Sequence, residues 1–319
     1  MRYLIATGQE LHYINKHLKR YLPNAKFVSW PEFQKTSEKL SNNFDYLINL
    51  NGSPIFGSDD SIFPGKLNKE TVTKTRIQRA EILQEFVVKD NSIQKFVQIS
   101  STSAYNYQEL YEKSIVQDEY TSGEVITTVT PQGIRQTSTG NTGHFFQQLA
   151  WDVESLAKSD KTCCVRVGNV LGDGGMLQRQ QNLAKKGLIF RIGGSRFFWR
   201  HQAGEHLYPW IHANDLARLL IFLAESDEKW PIVNGVSPDV ITQLDYVNSL
   251  RNALDIPSFI PPIGLDVVSW RNLKWVLRDI DRTELCSKGM HIVPRIALNS
   301  GFEYEFENIS SALQDLCKK

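Results

Sequence analysis

MRYLIATGQELHYINKHLKRYLPNAKFVSWPEFQKTSEKLSNNFDYLINL, residues 1–50, decides the fold. Tyr3-Leu4-Ile5-Ala6 is a short apolar strand. Leu11, Ile14, Leu18 and Leu22 then recur at helical spacing, until Pro23 and Asn24 stop the helix. Lys26-Phe27-Val28-Ser29 reads as a second strand. Asp45-Tyr46-Leu47-Ile48-Asn49-Leu50 reads as a third, ending at Asn51-Gly52. These runs lack strict alternation, which predicts strands buried on both faces of a parallel sheet covered by helices.

The rhythm continues downstream. A long helix is predicted from Asn68 to Lys89, with Ile77, Ile82 and Leu83 among its apolar positions. Lys95 to Ser100 follows as a strand. Residues 114–143, rich in Thr, Ser, Gly and Gln, read as an insertion or mobile loop. His144 to Lys158 is a predicted helix, and Thr162 to Val167 the next strand. This βαβ repetition argues for an α/β fold with a doubly wound parallel sheet. The second half is less regular. Asn214 or Asp215 is the expected cap of a helix running through Leu223, and Thr242 opens another to about Leu254. Pro257, Pro261 and Pro262 break the chain before a helix expected from about Asp266. A short strand, Phe302 to Phe306, and a helix from Ile309 complete the reading.

Composition narrows the function classes. A chain of 319 residues corresponds to about two domains. Apolar residues at 41% and charged residues at 22% exclude a disordered or collagen-like chain. Lys+Arg of 36 against Asp+Glu of 35 leaves a net charge of +1, so no global field draws the chain to nucleic acid or anionic membrane. The strongest apolar stretch, Leu216 to Ala224, falls far short of the ~20 residues that span a bilayer. Only Tyr3 to Ala6 follows Met1 and Arg2, which predicts no secretory leader and a cytosolic protein; a trimmed mitochondrial or plastid precursor is the alternative. The 4 cysteines show no CxxC spacing, and Cys163 and Cys164 read as buried core thiols in a reducing compartment. His201 and His206 are not at the helical spacing of a zinc pair, so no metal site is expected.

Several blocks together resemble the epimerase family proteins of the atypical extended short-chain dehydrogenase/reductases, subfamily 39U. They are Asp45 to Ile55 (DYLINLNGSPI), Thr75-Arg76, Ile99 to Tyr105 (ISSTSAY) and Val165 to Gly175 (VRVGNVLGDGG). Downstream come Tyr208 to Ala217 (YPWIHANDLA), Val233 to Pro238 (VNGVSP) and Val293 to Phe302 (VPRIALNSGF). The resemblance implies a Rossmann-like dinucleotide-binding domain over residues 1–167, joined by about 208–236. It implies smaller substrate-domain segments over 168–207 and 237–319, and NADP or NAD as cofactor. The expected activity is that of an NAD(P)-dependent oxidoreductase or epimerase on an unknown small molecule. The alternative is a pseudoenzyme using the same cleft for sensing, scaffolding or assembly. No nucleic-acid or membrane partner is implied, and the oligomeric state stays open.

Two departures from the family pattern bear on the cofactor. The family carries a run like GGGTGFIG after the first strand, where glycines let backbone and a helix N-terminus approach a pyrophosphate. Here the run is Ala6 to Tyr13 (ATGQELHY), in which Gly8 survives and Thr7, Glu10 and Tyr13 fall near the fingerprint positions. Weak dinucleotide affinity follows, with Glu10→Gly expected to strengthen it. After the second strand the family's Ser-Arg is replaced by Ser29-Trp30, which removes the arginine that would meet a 2′-phosphate. Trp30 reads equally as an edge aromatic and as a platform for a base. The resemblance assigns cofactor contacts to Gly8, Ser29, Leu50, Asn51, Thr71, Arg76 and Val170.

The candidate chemistry is thin. No Tyr-x-x-x-Lys occurs in the chain. The helix that would carry it runs Phe146 to Glu154 (FQQLAWDVE). Ser101 and Tyr105 remain as candidate catalytic groups, with Ser103 assisting. Without a nearby cation, Tyr105 is expected to keep a pKa near ~10. Hydroxyls at a strand end also serve backbone groups. His212 reads as an acid/base or, more simply, as a residue bonding backbone before a helix. Arg191, Arg196 and Arg200 with Phe197, Phe198 and Trp199 suggest a substrate or partner contact, or a loop packing its own aromatics.

Overall fold

The computed structural model describes residues 1–8, 11–52, 55, 66–105, 116–120, 125–130, 133–138, 145–186, 191–192, 204–256, 267–268, 279–287 and 289–318. The strands are β1 (Tyr3–Thr7), β2 (Lys26–Ser29), β3 (Tyr46–Leu50), β4 (Lys95–Ser101), β5 (Val116–Gln117), β6 (Val125–Thr130) and β7 (Gly133–Ser138). Then come β8 (Thr162–Val167), β9 (Asn169–Leu171), β10 (Arg191–Ile192), β11 (Trp210–His212), β12 (Ile232–Gly235), β13 (Val267–Val268) and β14 (His291–Ile292). The helices are α1 (Ile14–Tyr21), α2 (Trp30–Leu40), α3 (Lys69–Thr73), α4 (Arg79–Lys89), α5 (Phe145–Ser155) and α6 (Gly175–Ala184). They continue with α7 (Ala213–Glu225), α8 (Gln243–Ala253), α9 (Ile280–Ser287), α10 (Arg295–Asn299) and α11 (Ile309–Cys317).

Six strands form one parallel sheet in the order β12-β8-β4-β3-β1-β2. The fold is therefore Rossmann-like, as the apolar runs predict. β1 is followed by β2 on one side and by β3 on the other, so strand order reverses at β1. In such sheets ligands bind outside the carboxyl ends of the strands at this reversal. The register brings those ends level: Thr7 stands opposite Ser29 on one side and Leu50 on the other.

Each face is sealed by the apolar side of helices. Ile14 and Leu18 of α1 and Leu216, Leu219, Leu220 and Leu223 of α7 pack on Ile5, Ile48, Val97 and Val165. Phe33 and Leu40 of α2, with Leu83 and Val87 of α4, pack on Leu4, Leu47 and Phe96. A smaller core joins α6, α8 and α11 through Leu177, Tyr246, Leu250 and Leu313. Ile296, Ala297, Phe302 and Tyr304, from the C-terminal stretch, sit in the cluster of the main sheet.

Four local expectations need correction. Part of the stretch expected to be a loop is an antiparallel hairpin, β6 with β7, while β5 pairs with β14. The cap of α7 is His212, whose Nδ1 accepts the Asn214 N–H at 3.1 Å, so Asn214 and Asp215 lie inside the helix. Val267 and Val268 form a strand against β10, where a helix was expected to begin. Residues 302–306 pair with no strand: the Glu305 and Phe306 N–H groups donate to the buried Asp215 carboxylate, both at 2.9 Å. The long helix predicted over 68–89 is helical but carries a π turn at Lys74–Gln78.

Candidate functional site

The crevice lies where β1 and β3 end. A Cβ on Gly8 would stand 2.7 Å from Gly52 N and Leu50 O and 2.8 Å from Asn51 Cα. These are backbone atoms, so only glycine fits. Gly8 thus serves the close approach of the two strand ends. The Thr7 hydroxyl turns aside and donates to the Val28 carbonyl at 3.1 Å. Leu50 is buried in the core. Ser29 is exposed and stands at the N-cap of α2. Gln9 and Glu10 lie outside the described residues.

A polar chain crosses these strand ends. The Asn49 amide donates to Gln98 Oε1 at 2.8 Å. Asn49 Oδ1 accepts both the backbone N–H and the side-chain amide of Asn51, each at 2.9 Å. Asn51 Oδ1 takes a long bond from Arg79 Nη1 at 3.4 Å. The Arg79 guanidinium lies over the Trp30 ring, 5.2 Å from its centroid, and Trp30 stacks on Phe33. Trp30 is therefore a half-buried platform beneath a cation. Arg2, Arg166, Arg218 and Arg295 each meet a carboxylate. Arg79 meets none among the described residues, and burial alone pulls its pKa below the usual arginine value.

At the start of α1 the space is filled. Tyr13, 8% exposed, precedes the first helical residue. Its ring lies against the turn after β9: a Cβ on Gly172 would stand 2.6 Å from Tyr13 Cδ2, and one on Gly174 2.9 Å from Cδ1. Gly175, at φ +62°, faces the same ring. The glycines that admit this packing lie in the turn after β9. Lys16 and Asp173 pair across the same contact, and His17 Nδ1 lies 3.2 Å from Asn214 Oδ1.

The serine turn closes the β4 end. Ser101 Oγ accepts the Ser103 N–H at 3.2 Å and stands 2.9 Å from Ser103 Oγ. Ser103, fully buried, also donates to the Phe146 carbonyl at 3.0 Å. Ser101 is half-buried. The α5 residues that face this turn are Gln147 and Trp151, four apart and so on one side of the helix. The Gln147 amide donates to the Tyr105 carbonyl at 3.1 Å, and the Trp151 indole to the Ala104 carbonyl at 2.9 Å.

Tyr105, 5% exposed, donates its hydroxyl to Asn234 Oδ1 at 2.9 Å. The expectation that no cation stands near it is corrected: the Arg166 guanidinium lies 4.6 Å from its ring centroid. Burial outweighs that cation and raises the phenol pKa. Arg166 is itself held by Glu154, through bonds of 2.9 and 2.8 Å. The Asn234 N–H donates to Glu119 at 2.9 Å, and burial raises the Glu119 carboxyl pKa.

The remaining candidates are spread wider. Val170 pairs with Ile211 of β11 and packs on the main core. Thr71 is exposed at the cap of α3, where its N–H donates to Asn68 Oδ1 at 2.9 Å. Arg76 lies in the π turn, a feature frequent at functional positions. His212 is a buried helix cap stacked on Phe306, which accounts for it without acid–base work. Burial pushes the His206 pKa down to about 4. Residues 196–201 lie outside the described residues, as do the side chains of β10. Among the described residues no three His, Cys, Asp or Glu side chains gather as a metal set, and no helix is long and apolar enough to cross a membrane.

Sequence reasoning missed Arg79, Gln147, Trp151 and the Glu154–Arg166 pair. Signals existed. Arg79 stands three residues beyond Arg76 on one helical path, and Arg166 interrupts an apolar strand, where a buried charge demands a partner.

Known proteins supply an independent view. The family model described as NAD dependent epimerase/dehydratase family matches residues 3–234. Mouse epimerase family protein SDR39U1 is 31% identical over 187 residues, 56% of this chain and 57% of that protein. The match thus spans little more than half of that relative's length. Epimerase family protein YfhF of Bacillus subtilis is 22% identical over 294 residues, 92% of this chain and 84% of its own. The crystal structure of human epimerase family protein SDR39U1 (isoform 2) with NADPH matches at a TM-score of 0.76 and 20% identity, covering 100% of both chains. A UDP-N-acetylglucosamine 4-epimerase from Methanobrevibacter ruminantium, in complex with UDP-N-acetylmuramic acid, matches at 0.66 and 14% identity, over 99% of this chain and 97% of its own.

Proposed function

Because the chain belongs to the NAD dependent epimerase/dehydratase family, we propose that it binds a nicotinamide dinucleotide, NADP or NAD, outside the carboxyl ends of β1 and β3. In this reading the bound state is its working form, and acid–base turnover by a tyrosine–lysine pair is not. The human relative's structure holds NADPH, which supports the cofactor class.

One observation carries the non-catalytic half of the reading: the face of α5 toward the serine turn. An i,i+4 pair there can present a phenol and an ammonium to a reacting carbonyl. Gln147 and Trp151 occupy that face, and both spend their N–H groups on backbone carbonyls of the turn. Neither transfers a proton at neutral pH. Tyr105 cannot replace them while its hydroxyl is buried on Asn234. The turn is built as a clamp.

The dinucleotide fits one end of the crevice better than the other. At the β2–β3 end, Arg79 is a half-buried cation with no carboxylate partner among the described residues. At the α1 end, the Tyr13 ring takes up the notch beside Gly172 and Gly174. Weak binding follows, held mainly from the adenosine side. When bound, the nicotinamide ring can give or take a hydride. In this reading Gly8, Asn51 and Arg79 line the crevice, and half-buried Ser101 ends β4.

A second reading rests on Ser101. It is half-buried while Ser103 is fully buried, so it can orient a substrate carbonyl for hydride transfer, with the proton drawn from solvent. Titration calorimetry with NADP, NADPH, NAD and NADH tests the proposal. Binding of at least one, without oxidation of the reduced form by a panel of keto sugars, is expected. No binding at ~1 mM, equivalent to about −4 kcal/mol, overturns it.

A further inference from the structure

We propose that Arg79, stacked on Trp30, is the residue that recognises a ribose 2′-phosphate, so that this chain selects NADP(H) over NAD(H). The inference deepens the dinucleotide reading above and rests on it.

Position comes first. In doubly wound sheets the group that reads the ribose 2′ position sits near the end of the second strand, about 20 residues beyond the first glycine turn. A carboxylate there accepts from a 2′-hydroxyl, and an arginine meets a 2′-phosphate. Here β2 ends at Ser29, followed by Trp30 and Pro31. The strand end itself offers no carboxylate, and Glu32 is engaged by Lys26 at 2.9 Å. Among the described residues at this strand end, the chemistry that would favour a free 2′-hydroxyl is missing.

Charge comes second. Arg79 arrives from the first turn of α4 and lays its guanidinium over the Trp30 ring at 5.2 Å. That places a cation beside the residue that follows β2, although the sequence there has no basic side chain. Its polar contact is the long bond to Asn51, a side chain at the end of β3. Arg79 therefore joins the ends of the two strands that flank β1. Arg2, Arg166, Arg218 and Arg295 satisfy their charge on carboxylates. Among the described residues no anion offsets the desolvation cost that Arg79 bears, and such a site is completed by an anionic ligand. The Trp30 ring seats the cation, and a guanidinium can meet phosphate oxygens through two parallel bonds.

The two departures at this strand end then make one arrangement. Trp30 in place of arginine removes a charge and supplies a platform, and α4 returns the charge from one layer away. The sequence pattern after β2 argues against NADP, whereas the folded chain favours it.

The experiment compares NADP and NAD by titration calorimetry on wild type, Arg79→Met and Arg79→Lys. Met keeps the apolar packing on Trp30 and removes the charge. Wild type is expected to bind NADP more tightly, and Arg79→Met to lose ~10–100-fold in NADP affinity while NAD changes by less than ~3-fold. Arg79→Lys should fall between, since a point charge replaces a planar fork. A second measurement needs only wild type: 2′,5′-ADP should displace bound NADPH at lower concentration than 5′-ADP does. Equal losses for NADP and NAD, or equal displacement by the two ADP isomers, overturn the assignment and leave dinucleotide binding standing. Failure of wild type to bind either dinucleotide overturns both.

Discussion

Glu154→Gln should be among the most damaging single substitutions in the core between α5 and the main sheet, although it changes one atom. The Glu154 side chain is 0% exposed and that of Arg166 7%. The carboxylate takes two bonds from the guanidinium, at 2.9 and 2.8 Å, and a third from the Ser100 hydroxyl at 2.7 Å. Glutamine keeps the volume but leaves the Arg166 charge buried without a counter-charge. Breaking such a pair from one side costs about 3–5 kcal/mol. A loss of ~4 kcal/mol is about a thousandfold in the folding equilibrium. Arg166→Met should cost a similar amount, since it strands Glu154. The double variant Glu154→Leu/Arg166→Met should be far less damaged than the sum of the singles, because two apolar side chains of similar size need no partner. Urea unfolding of the four proteins, followed by far-UV circular dichroism, reads these differences. Additive single effects below about 1 kcal/mol would refute the reasoning, since that is how a solvated surface pair behaves.

Two further outcomes follow from the same structure. Gly8→Ala should destabilise by about 1–3 kcal/mol, because its Cβ meets backbone atoms at 2.7 Å that cannot turn away; a chemical-denaturation midpoint equal to wild type would show that the strand ends stand further apart. Stability should rise as pH climbs from about 4 to about 6.5, because buried His206 is neutral across that window in the folded chain and protonated in the unfolded one. The unfolded state then binds the extra proton, and His206→Gln should remove up to ~3 kcal/mol of that slope, read by thermal unfolding across the pH series.

The main sheet was legible because buried parallel strands leave mostly apolar runs without strict alternation, as in β1, β3, β4 and β8, even with single polar residues such as Asn49, Gln98 and Arg166 inside them. The ends of elements were less so. The α7 cap was missed because a histidine nitrogen does the work usually given to Asn or Asp. Residues 302–306 read as a strand from their alternating aromatics, yet their backbone donors go to Asp215, a contact some 90 residues distant in sequence. At the site, Gly8 could be named from the sequence but its reason could not. A glycine required by Leu50, Asn51 and Gly52 looks the same as one required by a phosphate. Tyr13 stands near a fingerprint position, and the sequence could foresee its bulk. That the bulk is received by Gly172, Gly174 and Gly175 depends on two turns meeting in space. Arg79 could be picked out by its spacing from Arg76, but its role could not: that comes from the approach of α4 to Trp30, which no spacing encodes.

The most direct test is a crystal structure of this chain grown with NADPH. The account predicts the dinucleotide lying outside the ends of β1 and β3, its 2′-phosphate against Arg79 and its adenine on the Trp30 side. Gln147 and Trp151 should still be bonded to the serine turn, and the Tyr13 ring should have moved away from Gly172 and Gly174. A crevice still closed by Tyr13 at saturating NADPH, with no dinucleotide at the strand ends, would contradict it.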